Sequence, residues 1–385
     1  MLEGLRVVEL ATHIAAPGAA GILAQWGADV IKIERAEGDP MRRSVDHPET
    51  TSAVFEMDNR GKRSVVLDMG AADGRAAARA LVQSADVFVT STRPAALRRA
   101  GLDYGALVAE HPRLVHASVT GYGATGPDAD LPGFDTAAFW ARSGAAALMT
   151  PEGVSYFPIR IGMGDHSCSL STALGIMAAL YARERTGRGR EVQTSLLRSG
   201  CYAVGSDLSL YLGGRRVRPT RPREASAYPL INFFRSADGR WVLLMPRDSR
   251  VDWPRMAAAA GREDLIADAR FATPEARSEH VGALVHALDA GFGSLPFVEL
   301  RRRLRAADLV WAPVQTPAEL VADEQAEAAG CFAEGVNDRG ERYRTVAPPV
   351  DVGGRLEGLR VPAIGEHSAE VLAEIGYEPT RVVNG

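Results

Sequence analysis

The sequence predicts an α/β protein organised around a mainly parallel β-sheet. Two observations carry this expectation. Short apolar, β-branched runs recur through the first half of the chain, at residues 5–10, 29–34, 64–68, 86–90 and 114–119. Ala-rich stretches separate them, and apolar strands alternating with helices indicate a sheet covered on both faces.

Taken in order, the first strand is Leu5-Arg6-Val7-Val8-Glu9-Leu10. Pro17 suits a first helical turn, and the helix runs through Ala24-Gln25-Trp26 to a stop at Gly27. The second strand, 29–34, follows at once. Ligands of such sheets bind outside the carboxyl ends of the strands. The sheet is Rossmann-like, yet the turn after the first strand reads Ala11-Thr12-His13-Ile14-Ala15-Ala16-Pro17. It lacks the G-x-G-x-x-G pattern that brings a dinucleotide pyrophosphate onto a helix, which excludes a nicotinamide-type domain.

The most informative stretch is Gly162-Met163-Gly164-Asp165-His166-Ser167. It precedes an apolar, small-residue helix expected over 170–181, then a basic, Gly-broken turn at 183–190 and a strand at 191–196. Ser167 is the expected N-cap. The positive helix end should hold Asp165 ionised, worth roughly 0.3–1 kcal/mol. The flanking glycines let a ligand approach the backbone closely, and free amides at the helix start can serve an oxyanion. Asp165 is therefore a candidate nucleophile for an acyl group, or else simply a cap. Cys168, three residues on, reads as a small buried hydrophobe.

The second half differs. Residues 213–222 read as an exposed linker, and a hairpin is expected where 232–235 and 241–245 flank Ala237-Asp238-Gly239. Amphipathic helices follow around 254–260, 279–290 and 297–306, then short strands and turns from Val310, and a last helix at 369–375. At 385 residues the chain exceeds the usual size of one core, so two domains are expected.

Composition excludes several classes. A net charge of −4 gives no general attraction to nucleic acid or membrane. Lys32 and Lys62 are the only lysines among 44 basic residues. Three scattered cysteines (Cys168, Cys201, Cys331) have neither zinc-ligand nor disulfide spacing, and no metal site is expected. No apolar signal core precedes the first strand and no window approaches the ~20 apolar residues of a membrane span, so a cytoplasmic location is expected. Arg35, Arg93, Arg98 and Arg99 follow expected strand ends. Guanidinium groups gathered at one sheet edge suit a multiply phosphorylated ligand, although most surface arginines are merely solvated.

Several segments together resemble the class III coenzyme A transferases, the family of formyl-CoA and carnitine-CoA transferases that also contains α-methylacyl-CoA racemase. They are residues 2–10, Gly27-Ala28-Asp29-Val30-Ile31-Lys32-Ile33-Glu34, Asn59-Arg60-Gly61-Lys62-Arg63-Ser64, Leu67-Asp68-Met69, Gly164-Asp165, Thr186-Gly187-Arg188-Gly189 and Gly365-Glu366-His367. The likeness runs in order over nearly the whole chain.

The resemblance implies an interlocked homodimer, with a large domain built from both chain ends and a smaller inserted α+β domain. The resulting partition is 1–198 (large domain, first part), 199–227 (linker), 228–309 (small domain) and 310–385 (return linker and remainder of the large domain). The resemblance also implies that Asp165 is the catalytic aspartate. It further implies that Ile14, Ala15, Arg35, Leu67, Asp68, Met69, Ser91, Thr92, Arg93, Arg99, Gly133 and Phe134 meet coenzyme A. Coenzyme A would pass from an acyl-CoA donor to a small carboxylic acid through aspartyl anhydride and thioester intermediates, with no tightly bound cofactor.

Two departures narrow the reading. Racemases of the family carry a histidine where Leu131-Pro132-Gly133-Phe134-Asp135 places Phe134. Phenylalanine is neither acid nor base, and moving an α-proton between faces needs two such groups. His166, adjacent to Asp165, is not expected to face it across a substrate. An acyl-CoA racemase or epimerase is thus the alternative, and an intact Asp165 argues against a non-catalytic acyl-CoA-binding protein. The Gly-rich lid of formyl-CoA transferase is also absent, since the region reads Leu244-Met245-Pro246-Arg247-Asp248-Ser249, which disfavours the formyl/oxalyl pair. Phe134, Phe139 and Trp140 are expected either to make room for an aromatic or branched acyl group or to be core.

Overall fold

A computed structural model describes residues 1–43, 51–353 and 358–377. Six strands form one parallel sheet: β1 (Arg6–Leu10), β2 (Asp29–Glu34), β3 (Lys62–Val66), β4 (Val87–Thr90), β5 (Val115–Thr120) and β6 (Glu191–Ser195). Their order is β3-β2-β1-β4-β5-β6. The chain therefore moves outward from β1 in one direction, then returns to lay β4 on its other side. Such a switch point opens a crevice at the carboxyl ends of β1 and β4, because the connections leaving those strands diverge.

The strand β3 lies two residues earlier than the sequence suggested. Pairing with β2 begins at Val30 opposite Lys62, and residues 67–69 have already left the sheet. The helix Ala15–Gln25 is buried along almost its whole length and packs against the long helix Met163–Thr186 on one sheet face. On the other face Val8, Ile31, Val65 and Phe88 form a core with Ala77, Ala78, Leu81 and Val82 of the helix Ala72–Gln83. Val371 and Leu372 of the helix Ser368–Glu374 complete it, so the end of the chain is built into the first core.

The chain divides into two compact units. The first contains residues 1–147, 157–215 and those from 325 onward, and the second Leu148–Tyr156 with Arg216–Glu324. In the second unit an antiparallel sheet is formed by β7 (Asn232–Arg235), β8 (Trp241–Leu244) and β9 (Trp311–Pro313). Helices Asp252–Ala259, Val281–Phe292 and Phe297–Ala306 bury Trp253, Leu284, Phe292, Leu300 and Leu304 against it. The first unit also holds a small sheet of β10 (Phe332–Val336), β11 (Arg342–Val346) and β12 (Leu359–Arg360).

Two local expectations differ from the structure. Residues 199–212, read as the start of a linker, lie within the helices Leu196–Ala203 and Gly205–Leu212, a stretch free of proline. The helix expected over 170–181 runs from Met163 to Thr186 and ends at Gly187, whose φ of 67° forms a left-handed cap. Among the described residues no single helix is long and apolar enough to cross a membrane.

The sheet contains a fully buried ionic network. Lys32 Nζ lies 2.6 Å from Glu9 Oε1 and 2.9 Å from Asp39 Oδ2. Lys62 Nζ lies 2.7 Å from the second Glu9 oxygen and also donates to Pro17 O and Asn59 Oδ1, each at 2.8 Å. Removing one partner of such a set leaves an uncompensated buried charge. Lys32→Met should therefore destabilise the protein by about 3–5 kcal/mol, read as a lowered midpoint in urea unfolding. A midpoint within error of wild type would show that the network does not hold the sheet together.

Candidate active site

Two adjoining recesses occupy the carboxyl edge of the sheet, and both include Thr12, after β1, and Ser91, after β4. The first, of about 370 Å³, is walled by Leu10–Thr12, Ile33–Arg35, Gly38, Asp39, Leu67–Gly70, Ser91 and Thr92. The second, of about 290 Å³, runs past Thr12, His13, Ala15 and Arg93 to Leu131–Phe134 and Asp165.

Most of the residues expected to meet coenzyme A are brought together here. Arg35, Leu67, Asp68, Met69, Ser91 and Thr92 line the first recess. Ala15, Ser91, Arg93, Gly133 and Phe134 line the second with Asp165. Two residues do not join them. Ile14 is buried, only 2% exposed, and Arg99 is exposed at the end of the helix Pro94–Arg99. Neither lines these two recesses.

Asp165 lies in the first turn of the long helix rather than ahead of it. The turn starts at Gly162, whose φ of 81° is left-handed and suits a residue without Cβ. Gly164 is required by packing, since a Cβ there would lie 2.6 Å from the Phe139 ring. Ser167 is consequently not the N-cap, and its hydroxyl donates to Met163 O at 3.0 Å inside the helix. The cap comes from a distant segment: Gly164 N donates to Asp135 Oδ2 at 3.3 Å. Met163 N donates to Arg160 O and His166 N to Gly162 O. The first amides of the helix are thus largely committed, contrary to the expectation that they would serve an oxyanion.

The electrostatics oppose, rather than favour, the expected ionisation of Asp165. Burial, with the nearby Asp135 carboxylate adding to it, pushes its carboxyl up to about 7, and the neighbouring His166 opposes this only in part. His166 Nε2 lies 3.2 Å from Asp58 Oδ1, and that hydrogen bond raises the imidazole above its ordinary value against the effect of burial. Cys168 is buried, as expected, and burial raises its thiol.

The aromatic residues divide. Phe139 and Trp140 are core, with Trp140 Nε1 donating to Phe157 O at 2.8 Å. Phe134 is 60% exposed, lines the recess, and meets the His13 ring edge-on at 5.2 Å. His13 itself was not singled out from the sequence. Its φ of 70° is one of two positive values at non-glycine residues among those described. The one sequence signal was its type, because histidine tolerates left-handed backbone better than most residues. Among the described residues no group of three or more His, Cys, Asp or Glu is placed to hold a metal ion.

This arrangement has known relatives. Residues 2–368 match CoA-transferase family III. The chain belongs to that family. It is 32% identical to the (R)-2-hydroxy-4-methylpentanoate CoA-transferase of Clostridioides difficile, over 100% of this chain and 98% of that one. It is 34% identical to the cinnamoyl-CoA:phenyllactate CoA-transferase of Clostridium sporogenes, over 98% and 94%. The crystal structure of a CAIB/BAIF family protein from Brucella suis superposes with a TM-score of 0.84 at 29% identity, covering 97% of this chain and 99% of that one. The protein is a class III CoA-transferase.

The raised Asp165 carboxyl has a consequence for stability. A native pKa of about 7 against an ordinary 3.8 means that the folded chain binds more protons than the unfolded one between those values. Stability therefore falls as pH rises through that window. Asp165→Asn, which removes the buried charge, should raise the melting temperature at pH 8 and leave it nearly unchanged at pH 5. An equal shift at both pH values would show that Asp165 is not held near neutrality.

Proposed function

We propose that the protein transfers coenzyme A from an acyl-CoA donor to a carboxylic acid, with the Asp165 carboxylate as the covalent carrier. The observation that carries this reading is that, among the described residues, Asp165 is the only carboxylate lining the second recess. An oxygen of Asp165 attacks the thioester carbonyl, the C–S bond breaks, and coenzyme A leaves as thiolate from a mixed anhydride. The thiolate then attacks the Asp165 side-chain carbonyl, releasing the donor acid and forming an aspartyl thioester. An acceptor carboxylate reverses the two steps and regenerates free Asp165. Covalent catalysis suits the exchange because one difficult displacement becomes several easier ones.

The first recess would hold the coenzyme. Arg35 stands at the end of β2 with a guanidinium suited to phosphate or adenine. Leu67–Met69, Ser91 and Thr92 line the same space. The second recess mixes Leu131, Pro132, Phe134 and Leu196 with few charges, which suits an acyl group with an apolar body. The two named relatives act on acids of that kind, a branched and an aromatic one.

Two variants separate these roles. Asp165→Ala should abolish transfer while coenzyme A binding persists, and hydroxylamine should trap acylated Asp165 in wild type given donor alone. Arg35→Ala should weaken coenzyme A binding with little change in saturated turnover, by the roughly 1.5–3 kcal/mol of a charge-assisted contact. A panel of acyl-CoA donors, cinnamoyl-CoA among them, against carboxylic acids including phenyllactate would be followed by mass spectrometry. Full transfer by Asp165→Ala would overturn the assignment, and unchanged coenzyme affinity in Arg35→Ala would make that residue ordinary surface.

The reading extends to assembly as an interlocked homodimer. Leu174 on the long helix is 72% exposed, and Tyr202 and Leu212 on the next two helices are 89% and 84% exposed. Large apolar side chains left exposed on three successive helices support association with a second copy of the chain. Light scattering should give twice the chain mass, and a stable monomer would refute it.

A further inference from the structure

We propose that His13 donates the hydrogen bond that stabilises the oxyanion formed when Asp165 attacks the thioester, a role that rests on the transferase reading above. His13 and Asp165 line the same recess. The helix start, which would ordinarily supply amide donors, has its amides at Met163, Gly164 and His166 engaged by Arg160 O, Asp135 and Gly162 O. A donor has to come from another wall.

The His13 backbone is held in a strained conformation by specific contacts, a feature that concentrates at working sites. His13 N donates to Asp39 Oδ1 at 3.2 Å, and the other Asp39 oxygen is fixed by Lys32 Nζ at 2.9 Å. Thr12 N donates to Ser91 Oγ at 3.2 Å, tying the same turn to the end of β4. The ring is oriented as well. Thr12 Oγ1 lies 3.0 Å from Nδ1, and the Phe134 ring packs against it at an interplanar angle of 71°. In the tautomer where the threonine hydroxyl donates to Nδ1, the ring proton is on Nε2, for which no hydrogen-bond partner is found among the described residues.

Other lining groups are less suited. The Thr120 hydroxyl is turned to Thr194 O at 3.5 Å, and Arg93 is exposed and directed to Asp130 O. As the Asp165 oxygen bonds to the thioester carbon, the carbonyl π pair moves onto oxygen and accepts the Nε2–H hydrogen bond. Collapse expels the thiolate, and the proton stays on His13. Donors aimed where charge develops act on the rate rather than on ground-state binding.

The test uses the full-length protein and the donor–acid pair that wild type turns over fastest. Two variants respect the left-handed backbone: His13→Gly removes the ring without strain, and His13→Asn keeps both the conformation and an N–H. His13→Gly should lower kcat by about 10²–10³, with KM for the donor within about threefold because the contact forms only in the transition state. His13→Asn should recover at least about tenfold of that loss, since one retained hydrogen bond is of that order. A kcat for His13→Gly near wild type would overturn the proposal. So would a loss confined to KM, which would make His13 a coenzyme contact. Absence of transfer and of trapped Asp165 in wild type would defeat the transferase reading itself. Normal wild-type transfer with unaffected His13 variants would defeat only the oxyanion assignment.

Discussion

Glu9, near the carboxyl end of β1, accepts hydrogen bonds from both lysines of the chain, and the carboxyl edge of the sheet is organised around that arrangement. Glu9 pairs directly with Lys32 in the β1–β2 register, and Lys62 reaches it from the start of β3. Burial alone would drive Lys32 to its neutral form, but Glu9, Asp39 and Glu34 more than offset this and raise it. Lys62 has one carboxylate partner and a lysine nearby, and burial brings it down to about 8. Taking each ion out of water costs several kcal/mol, so the network is a poor source of net stability. What it supplies is position. Lys32 also donates to Ala11 O at 3.0 Å, and through Asp39 it fixes the amide of His13. An apolar replacement of similar volume could fill the space without holding that turn.

A similar argument accounts for the chemistry of Asp165. The long helix begins at Met163 because Asp135, 29 residues before Gly164, accepts the Gly164 amide. The helix end then offers Asp165 little, and burial dominates. Each tenfold change in a proton equilibrium is worth about 1.4 kcal/mol, so a displacement from 3.8 to about 7 exceeds the 0.3–1 kcal/mol available from a helix terminus. A carboxylate in this range remains substantially ionised at neutral pH while being more basic than an exposed one. Greater basicity favours attack on a carbonyl. His166 acts against burial and limits how far the carboxyl can rise, whereas Asp58, its hydrogen-bond partner, adds to the rise.

The sequence was legible where local pattern and tertiary structure agree. Strand 29–34 was read at its observed limits because apolar residues flank it and Gly27 punctuates its start. The hairpin around Gly239 was legible for the same reason, its turn needing a residue at φ 87°. What escaped depends on partners remote in sequence. The start of the long helix is set by Asp135, the left-handed His13 by Asp39, and the burial of Phe139 by its contact with Gly164. None of these has a signature at its own position. The segments proposed to meet the coenzyme were legible only through resemblance, since Arg35 and Met69 look like ordinary residues until β2 and β3 are placed side by side.

The switch point explains why one edge can serve two substrates in turn. The connections after β1 and β4 diverge, and Thr12 and Ser91 stand where the two recesses meet. The first recess presents Arg35 near β2, whereas the second, with Asp165, is lined largely by small and apolar groups. A coenzyme anchored by contacts remote from the thioester need not leave when its acyl group is exchanged. Binding energy realised far from the reacting atoms can then be used to hold the thiolate beside the Asp165 carbonyl, where a loosely held thiolate would be lost to solvent. On the proposed reading, the acid in the second recess would be released and replaced while the larger substrate stayed in place across all four displacements. The Thr12–Ser91 hydrogen bond, between residues shared by the two recesses, ties the turn after β1 to the end of β4.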